Sequence, residues 1–340
     1  NASWTIYNGS KRLKTLKQER LNNQVAELDV ATSENTIKES IAQIYIQILY
    51  AAESVRVNEN TLQVSIAQCD RGQELLNAGS IAKSDFAQLE AQVSTDRYQL
   101  VTAQATLQDY KLQLKQLLEL DGENEMNVYL PKLSDENVLA PLPAKKDVYV
   151  SALAIRPEIE ASKLNIEAFE LGIDIAKSSY FPTISLSAGI GTNHTSGSDF
   201  TFGEQVKNGW NNSIGLSVSV PIFNNRQTKS AVQKAKLQRE TDMLSLLDEQ
   251  KALYKTIESL WLDANSAQQR YAAANEKLRS TQISYDLISE QFNLGMKNTV
   301  ELLTEKNNLL QAQQEQLQAK YMAILNTQLL KFYQGDKLTL

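Results

Sequence analysis

The 340-residue sequence has one cysteine, one histidine, six prolines and thirteen glycines, and aromatics make up 7% of it. A single cysteine, Cys69, cannot form an internal disulfide. It falls inside a predicted helix without metal-spaced partners, so a packing role is expected for it. The one histidine, His194, lies in a Gly/Ser/Thr stretch that offers neither metal ligands nor a nucleophile. No phosphate-cradling glycine loop, metal-ligand cluster or nucleophile–base set occurs at usable spacing, so no enzyme activity, cofactor or metal site is expected. Acidic residues are scattered along predicted helix faces, where solvation explains them. No apolar run reaches the roughly 18 residues of a transmembrane helix. The net charge is −6 and the basic residues are dispersed, which argues against nucleic acid as a partner.

What the sequence does contain is a repeat. An offset of 216 residues lays Ile6 on Ile222, Asn8 on Asn224, Leu21 on Leu237, Ile41 on Ile257, Leu62 on Leu278, Asp70 on Asp286, Asn77 on Asn293 and Gly79 on Gly295, without a gap. A match of that length without insertions implies a rigid element of constrained length in each copy. Residues 10–76 and 226–292 contain no proline and one glycine, Gly72. Good helix formers dominate. In the first copy apolar residues recur at Ile37, Ile41, Ile44, Ile48, Val55, Leu62 and Ile66; in the second, at Leu253, Ile257, Leu260, Ala264, Tyr271 and Leu278. Steps of three and four predict coiled-coil-like seams on helices of roughly 100 Å. Gly79 and Gly295 stand where left-handed C-caps end these helices. Ser84 and Asp85, and Asn298 and Thr299, are candidate caps for helices that continue to about Leu118 and Phe332. Each copy therefore reads as a long helical hairpin with a short tip.

Between the hairpins, two segments alternate with period two. Ile184, Leu186, Ala188 and Ile190 oppose Thr183, Ser185, Ser187 and Gly189, while Ile214, Leu216, Val218, Val220 and Ile222 oppose Ser213, Gly215, Ser217 and Ser219. These predict strands within 182–192 and 212–223, joined by an exposed hairpin loop over 192–211. Trp4 and Ile6 occupy the register of Val220 and Ile222, so a matching strand is expected to end near Tyr7. The sequence starts without a signal peptide and in mid-strand, and further sequence is expected upstream. Residues 122–146, with Pro131, Pro141 and Pro143, predict an irregular link. A helix follows to about Ser179, broken at Pro157. The domain reading is a first repeat over 1–121, a connector over 122–150, a second repeat over 151–335 and a tail over 336–340.

A strand with aliphatic residues on one face and Ser/Gly on the other suits lipid outside and an open lumen inside. Ile184, Leu186, Ile190, Ile214, Leu216, Val218 and Val220 are the expected lipid-facing residues. Two or three strands cannot close a barrel, and an open edge in lipid is costly. A barrel shared between copies is therefore expected. The helices also require neighbours, because a hairpin of this length has too little apolar surface to form its own globule.

The paired copies, the Arg156-Pro157 helix leading to Tyr180-Phe181-Pro182-Thr183, the exit Val218-Ser219-Val220-Pro221-Ile222-Phe223-Asn224 and the glycine-centred tips resemble the TolC-type outer-membrane efflux proteins over essentially the whole chain. The resemblance implies a mainly α fold with transmembrane β: a homotrimer whose α-helical barrel crosses the periplasm and continues into a shared twelve-stranded β-barrel in the outer membrane of a Gram-negative bacterium. It further implies an equatorial belt containing the connector and C-terminal stretch, and four strands per chain, with a first strand and its helix upstream of Asn1. The implied function is the outer-membrane channel of a tripartite efflux or secretion system. The implied partners are outer-membrane lipid, a periplasmic adaptor and an inner-membrane pump of RND or ABC type. The implied periplasmic gate lies at the tips, where Asp85 matches an acidic residue, Lys297 its basic partner, Glu301 a cation-attracting aspartate and Phe292 an aromatic that normally carries a hydroxyl. Thr304 replaces a second aspartate. Gly79, Ser80, Ile81, Gly295 and Met296 form the tip turns and the implied adaptor-docking surface. The alternative is a pore-forming toxin with long helices and an inserting β-hairpin, against which the tandem duplication weighs.

Overall fold

The computed structural model describes residues 1–120, 126–131, 138–197 and 199–338. Residue 121 of the expected first repeat, residues 122–125 and 132–137 of the expected connector, residue 198 of the expected hairpin loop and residues 339–340 of the expected tail lie outside the described residues. The element order is β1 (Ala2–Asn8), α1 (Lys11–Asn77), α2 (Lys83–Leu117), α3 (Lys145–Ile155), α4 (Pro157–Lys177), a short 3-10 turn (Ser178–Tyr180), β2 (Thr183–Gly191), α5 (Phe202–Asn208), β3 (Asn211–Ser219), α6 (Gln227–Asn293) and α7 (Thr299–Gln334).

The duplication is present as geometry. Helices α1 and α6 both have 67 residues, and their first and last residues are each 216 apart. The starts of α2 and α7 differ by the same 216. The strand-to-helix junctions match too: Gly9 and Ser10 have φ of 64° and 63°, and their counterparts Asn225 and Arg226 have 50° and 63°. Two successive left-handed residues swing the extended chain into the helix. Glycine is required at position 9, where a Cβ would lie 2.7 Å from the Ser178 carbonyl oxygen. The residue before each pair tethers the new helix. Asn8 Oδ1 accepts from Arg12 N at 3.3 Å, and Asn224 Nδ2 donates to Thr228 Oγ1.

Contacts divide the chain into two compact units, residues 1–32 with 156–251 and residues 33–155 with 252–340. The first holds an antiparallel sheet of order β1-β2-β3. Its register aligns Trp4 with Leu186 and Leu216, Tyr7 with Ile184 and Val218, and Ala2 with Ala188 and Ile214. Directly paired residues share a face. The other face aligns Ser3 with Ser187 and Gly215, and Thr5 with Ser185 and Ser217. A shift between Thr5 and Tyr7 makes Ile6 the extra residue of a bulge. The residue opposite Ile184 is therefore Tyr7, and the expected alternation of Trp4 with Ile6 is broken at Ile6. In the same unit α4 is fixed to the start of α1, where Gln18 Nε2 donates to Ala168 O at 2.9 Å and Lys14 lies 3.8 Å from Asp174. The Asp174 carboxyl is held below its ordinary value, first by its hydrogen bond to Lys177 and then by Lys14.

Two expectations for this unit need correction. Strand β3 ends at Ser219, because its partner β2 begins at Thr183, which pairs with Ser219. Val220 and Ile222 thus lie outside the strand, although both are exposed. The segment 192–211 is not merely a loop: Thr201 caps α5 by accepting from Glu204 N, while Glu204 accepts from Thr201 N. The sequence Thr201-Phe202-Gly203-Glu204 is a capping box, the local signal for a helix start. His194 is held there by Gln205 Oε1 at 3.0 Å, with Phe202 edge-on at 5.3 Å.

The second unit has a core of Ile46 and Leu49 from α1, Ala267 and Tyr271 from α6, and Tyr321, Ile324, Leu325 and Leu329 from α7, joined by Val138. The irregular link is pinned by helix side chains. Gln268 Nε2 donates to the carbonyls of Val138 and Ala140 at 2.9 and 2.8 Å, and Trp261 Nε1 donates to Pro143 O at 3.0 Å. Leu338 packs on the same core.

The α6 seam is buried at Leu253, Ile257, Ala264 and Tyr271, as expected. The α1 seam is met in part: Ile48 is buried as expected, Ile37 and Ile66 are exposed, and a further buried line runs Ala51, Asn58, Ser65, Gly72 in steps of seven. Small residues on this line let neighbours approach closely. A Cβ at Gly72 would collide with the Leu89 side chain.

Candidate functional site at the helix tips

Both long helices end in the same way. Gly79 donates to Leu76 O at 2.9 Å and Ser80 N to Leu75 O at 2.8 Å; Gly295 donates to Phe292 O at 2.9 Å and Met296 N to Gln291 O at 2.8 Å. This is the Schellman pattern, in which a left-handed residue closes the last turn. The two glycines supply φ of 72° and 75°, and a Cβ at either would meet nothing within 4 Å. They are there for backbone conformation, not for space. Ser80 is exposed and Ile81 half-buried, while Leu294, Met296 and Val300 are exposed around the second tip.

The next helices start differently in the two copies. Asn298 caps α7 as expected: its Oδ1 accepts from Glu301 N at 2.9 Å, and Glu301 Oε2 accepts from Asn298 N at 3.2 Å. Helix α2 begins earlier than expected, so Ser84 and Asp85 lie inside its first turn and the cap position is Ala82. Alanine has no side-chain acceptor, and one half of the reciprocal pair remains: Asp85 Oδ2 accepts from Ala82 N at 3.3 Å.

Within this chain Lys297 Nζ is engaged by Glu301 Oε1 at 2.5 Å, so the expected Lys297–Asp85 pairing is not the intrachain arrangement. The reason is local: positions 297 and 301 are one turn apart. That hydrogen bond, followed by the Asn298 amide, holds the Glu301 carboxyl below its ordinary value.

Phe292 is 3% exposed, in a cluster with Leu89 of α2 and Leu302 of α7, flanked by Cys69, Leu75, Tyr285 and Leu303. It therefore ties one hairpin to the other through apolar packing rather than through a hydroxyl. Cys69 has the packing position expected of it, and burial pushes its thiol pKa up. Tyr285 carries the hydroxyl in this region, accepting from Gln68 Nε2 at 2.7 Å. Sequence reading did not single out Tyr285.

It also missed a buried polar cluster behind the tip core. Lys306 of α7, Asp96 of α2 and Ser65 of α1 are 3%, 1% and 2% exposed. Lys306 Nζ donates to Asp96 Oδ2 and Ser65 Oγ, Ser65 Oγ donates to Asp96 Oδ2, and Gln92 Nε2 donates to Asp96 Oδ1 at 2.9 Å. Burial pulls the Lys306 ammonium below the ordinary lysine value, and Asp96 opposes that shift. The available signal was the heptad spacing of Asn58, Ser65 and Gly72, small or polar residues where a seam should be apolar.

In the unit that holds the sheet, the aliphatic sheet face is open: Trp4, Ile190, Ile214, Leu216 and Val218 are all more than half exposed, and Leu186 is 36% exposed. No helix among the described residues is long and apolar enough to cross a membrane.

Comparison with known proteins gives this arrangement a context. The chain is 25% identical over 294 residues to the outer membrane efflux protein BepC of Brucella suis biovar 1 (strain 1330), covering 86% of this chain and 61% of that protein. It is 25% identical over 336 residues to the outer membrane protein TolC of Escherichia coli (strain K12), covering 95% and 66%. The chain thus spans about three-fifths to two-thirds of the length of these relatives. In structure it resembles the outer membrane protein VceC of Vibrio cholerae with a TM-score of 0.80 at 16% identity, covering 99% of this chain and 79% of that one. These relatives give the toxin alternative no support. Residues 148–335 match the outer membrane efflux protein family, and the chain belongs to that family.

Proposed function

We propose that this chain is the subunit of an outer-membrane channel through which a tripartite efflux or secretion system exports its cargo. The observation that carries the reading is the sheet. Its aliphatic face is open while its other face holds only Ser, Thr and Gly at the paired positions Ser3–Ser187–Gly215 and Thr5–Ser185–Ser217. Exposed aliphatics contiguous across three strands are unfavourable in water, at about 25 cal/mol per Å². Lipid removes that cost, and small inward side chains leave a lumen free. Three copies sharing one barrel close the open edges. A twelve-stranded barrel takes one strand per chain more than the three described here.

In this reading the tips form the periplasmic entrance. Lys297, Glu301 and Asp85 set its charge, with Lys297 able to exchange Glu301 for Asp85 of a neighbouring hairpin, and Phe292 holds the hairpins together. Threefold-related Glu301 residues favour cations. Exposed Leu294, Met296 and Val300, with Ser80 and Ile81, form the docking surface for a periplasmic adaptor, behind which an RND or ABC-type pump supplies cargo. The connector, α3 and the C-terminal stretch form the equatorial belt.

The test is functional replacement. The full-length protein, expressed in a Gram-negative strain lacking its own efflux channel, should fractionate with the outer membrane as a trimer and restore drug efflux. A soluble monomer that restores nothing would refute the proposal. For the gate, planar-bilayer conductance of Lys297→Ala should exceed wild type, and equal conductance removes Lys297 from that role. For docking, crosslinkers at Ser80 and Met296 should capture an adaptor.

A further inference from the structure

The cluster of Lys306, Asp96 and Ser65 joins three helices from both hairpins, α7, α2 and α1, and it is internally hydrogen-bonded: both Asp96 oxygens accept and Lys306 donates twice. Stability alone does not account for such a group. A buried ion pair loses much of its attraction to desolvation, and a packed apolar replacement is often as stable or more so. What a buried polar group supplies is direction.

Register is a real problem in this bundle. The α1 seam repeats every seven residues through Ala51, Asn58, Ser65 and Gly72, and the α6 seam does likewise through Ile257, Ala264 and Tyr271. A helix sliding along such a seam by a turn or a heptad meets similar surfaces again. One buried polar residue on a seam fixes register because only one alignment satisfies it.

The repeat makes the cluster singular. The counterparts of Ser65, Asp96 and Lys306 at the 216-residue offset are Thr281, Ala312 and Glu90. A second such cluster therefore cannot form, and the pseudo-symmetric exchange of hairpins is excluded.

Its place matters as well. Lys306 lies seven residues into α7, about 10 Å from the start of that helix. The Leu89–Phe292–Leu302 core joins the same hairpins in the tip region.

We propose that Lys306, with Asp96 and Ser65, is a positioning device: it sets the height and rotation of α7 against the α1–α2 hairpin and so holds Gly295–Glu301 opposite Gly79–Asp85. The consequence for the gate rests on the functional reading above, whereas the register claim does not.

The experiment uses the full-length assembled protein in a Cys69→Ala background. Spin labels at Ser80→Cys and Met296→Cys on one subunit, diluted with unlabelled subunits, report the tip-to-tip distance. Wild type should give one narrow distribution. Lys306→Met with Asp96→Leu should assemble normally but widen the distribution by about 5 Å, one helical turn. A narrow wild-type distribution in that double variant overturns the proposal. So does its failure to assemble, since a register device replaceable by apolar packing must leave the trimer intact. Conductance then separates the two claims: widened tips with unchanged conductance support the register role and refute the gate reading.

Discussion

Helices α2 and α7 are the same element of the two copies, with starts at equivalent positions and lengths of 35 and 36 residues, yet their surroundings differ sharply. Only Leu89, Asp96 and Leu114 of α2 are buried, against fifteen residues of α7. The core of the second unit takes residues from the full C-terminal half of α7, and Tyr321 stacks edge-on against Tyr50 at 6.4 Å. By contrast α2 exposes Tyr98, Val101 and Leu112. Duplication thus preserved length, turn and helix start, which depend on local sequence. Burial depends on which helices lie alongside, and there the copies diverged. In the proposed trimer the exposed face of α2 is where a neighbouring subunit packs.

The largest test of this contrast is at the buried Lys306–Asp96 ion pair, which joins α7 to α2. Lys306→Met leaves the Asp96 carboxylate buried without its cation and should destabilise the assembled protein by about 3–5 kcal/mol, with most of the loss recovered in Lys306→Met/Asp96→Leu. Chemical denaturation of the solubilised channel measures both. An equal loss in the single and double variants would mean that charge pairing is not the term that matters.

Next come apolar truncations. Leu302→Ala empties a fully buried site in α7 and should cost about 2–5 kcal/mol. Val101→Ala, at a residue of α2 that is 59% exposed, should change the stability of a dissociated subunit by less than about 0.5 kcal/mol. The comparison between the two helices collapses if the two substitutions cost the same.

Smaller effects are expected where the copies agree. Gly79→Ala and Gly295→Ala meet no steric obstacle, so each should lose only the left-handed backbone cost of about 1–2 kcal/mol. The end of α2 offers the converse. Glu119 occupies the left-handed position there, with φ 51°, and the Schellman bonds Glu119 N to Gln116 O and Leu120 N to Lys115 O are made without glycine. Glu119→Gly should therefore stabilise by a comparable amount. Thermal unfolding of the three variants ranks them directly.

These examples also show what could be read in advance. Helix bounds, tip glycines and the alternating strands were legible because each is encoded within a few residues: Gly295 needs only its own φ, and Ile214 to Val218 need only period two. The α1 seam was legible only in part, at Ile48, because apolar periodicity records what a helix carries, while close approach at Gly72 and Ser65 is decided by the neighbour that arrives. The same holds for the polar cluster, whose members come from three helices up to 241 residues apart. Helix α5 was missed for another reason: its capping box at Thr201–Glu204 was in plain sight, but the surrounding Gly, Ser and Asn residues suggested a loop. The gate residues were placed at the tips by resemblance, and Lys297 and Glu301 then paired with each other because one helical turn brings them together without any partner subunit.

That local pair gives the smallest test, one that separates the two tips by pH. Glu301 accepts from Lys297 Nζ and Asn298 N, and these bonds hold its carboxyl below the ordinary glutamate value of 4.5. A depressed folded-state pKa means that the proton binds the frayed tip more readily than the capped one. The cap's contribution is thus complete above about 4.5 and disappears as the pH falls through the lower folded value. Hydrogen exchange at the Asn298 amide should show protection at neutral pH that fades in acid. Glu301→Gln removes the titrating group, so its Asn298 amide should exchange with no such acid step. If the acid step persists in Glu301→Gln, the loss of protection comes from elsewhere in the tip and the Lys297–Glu301 pair does not secure the start of α7.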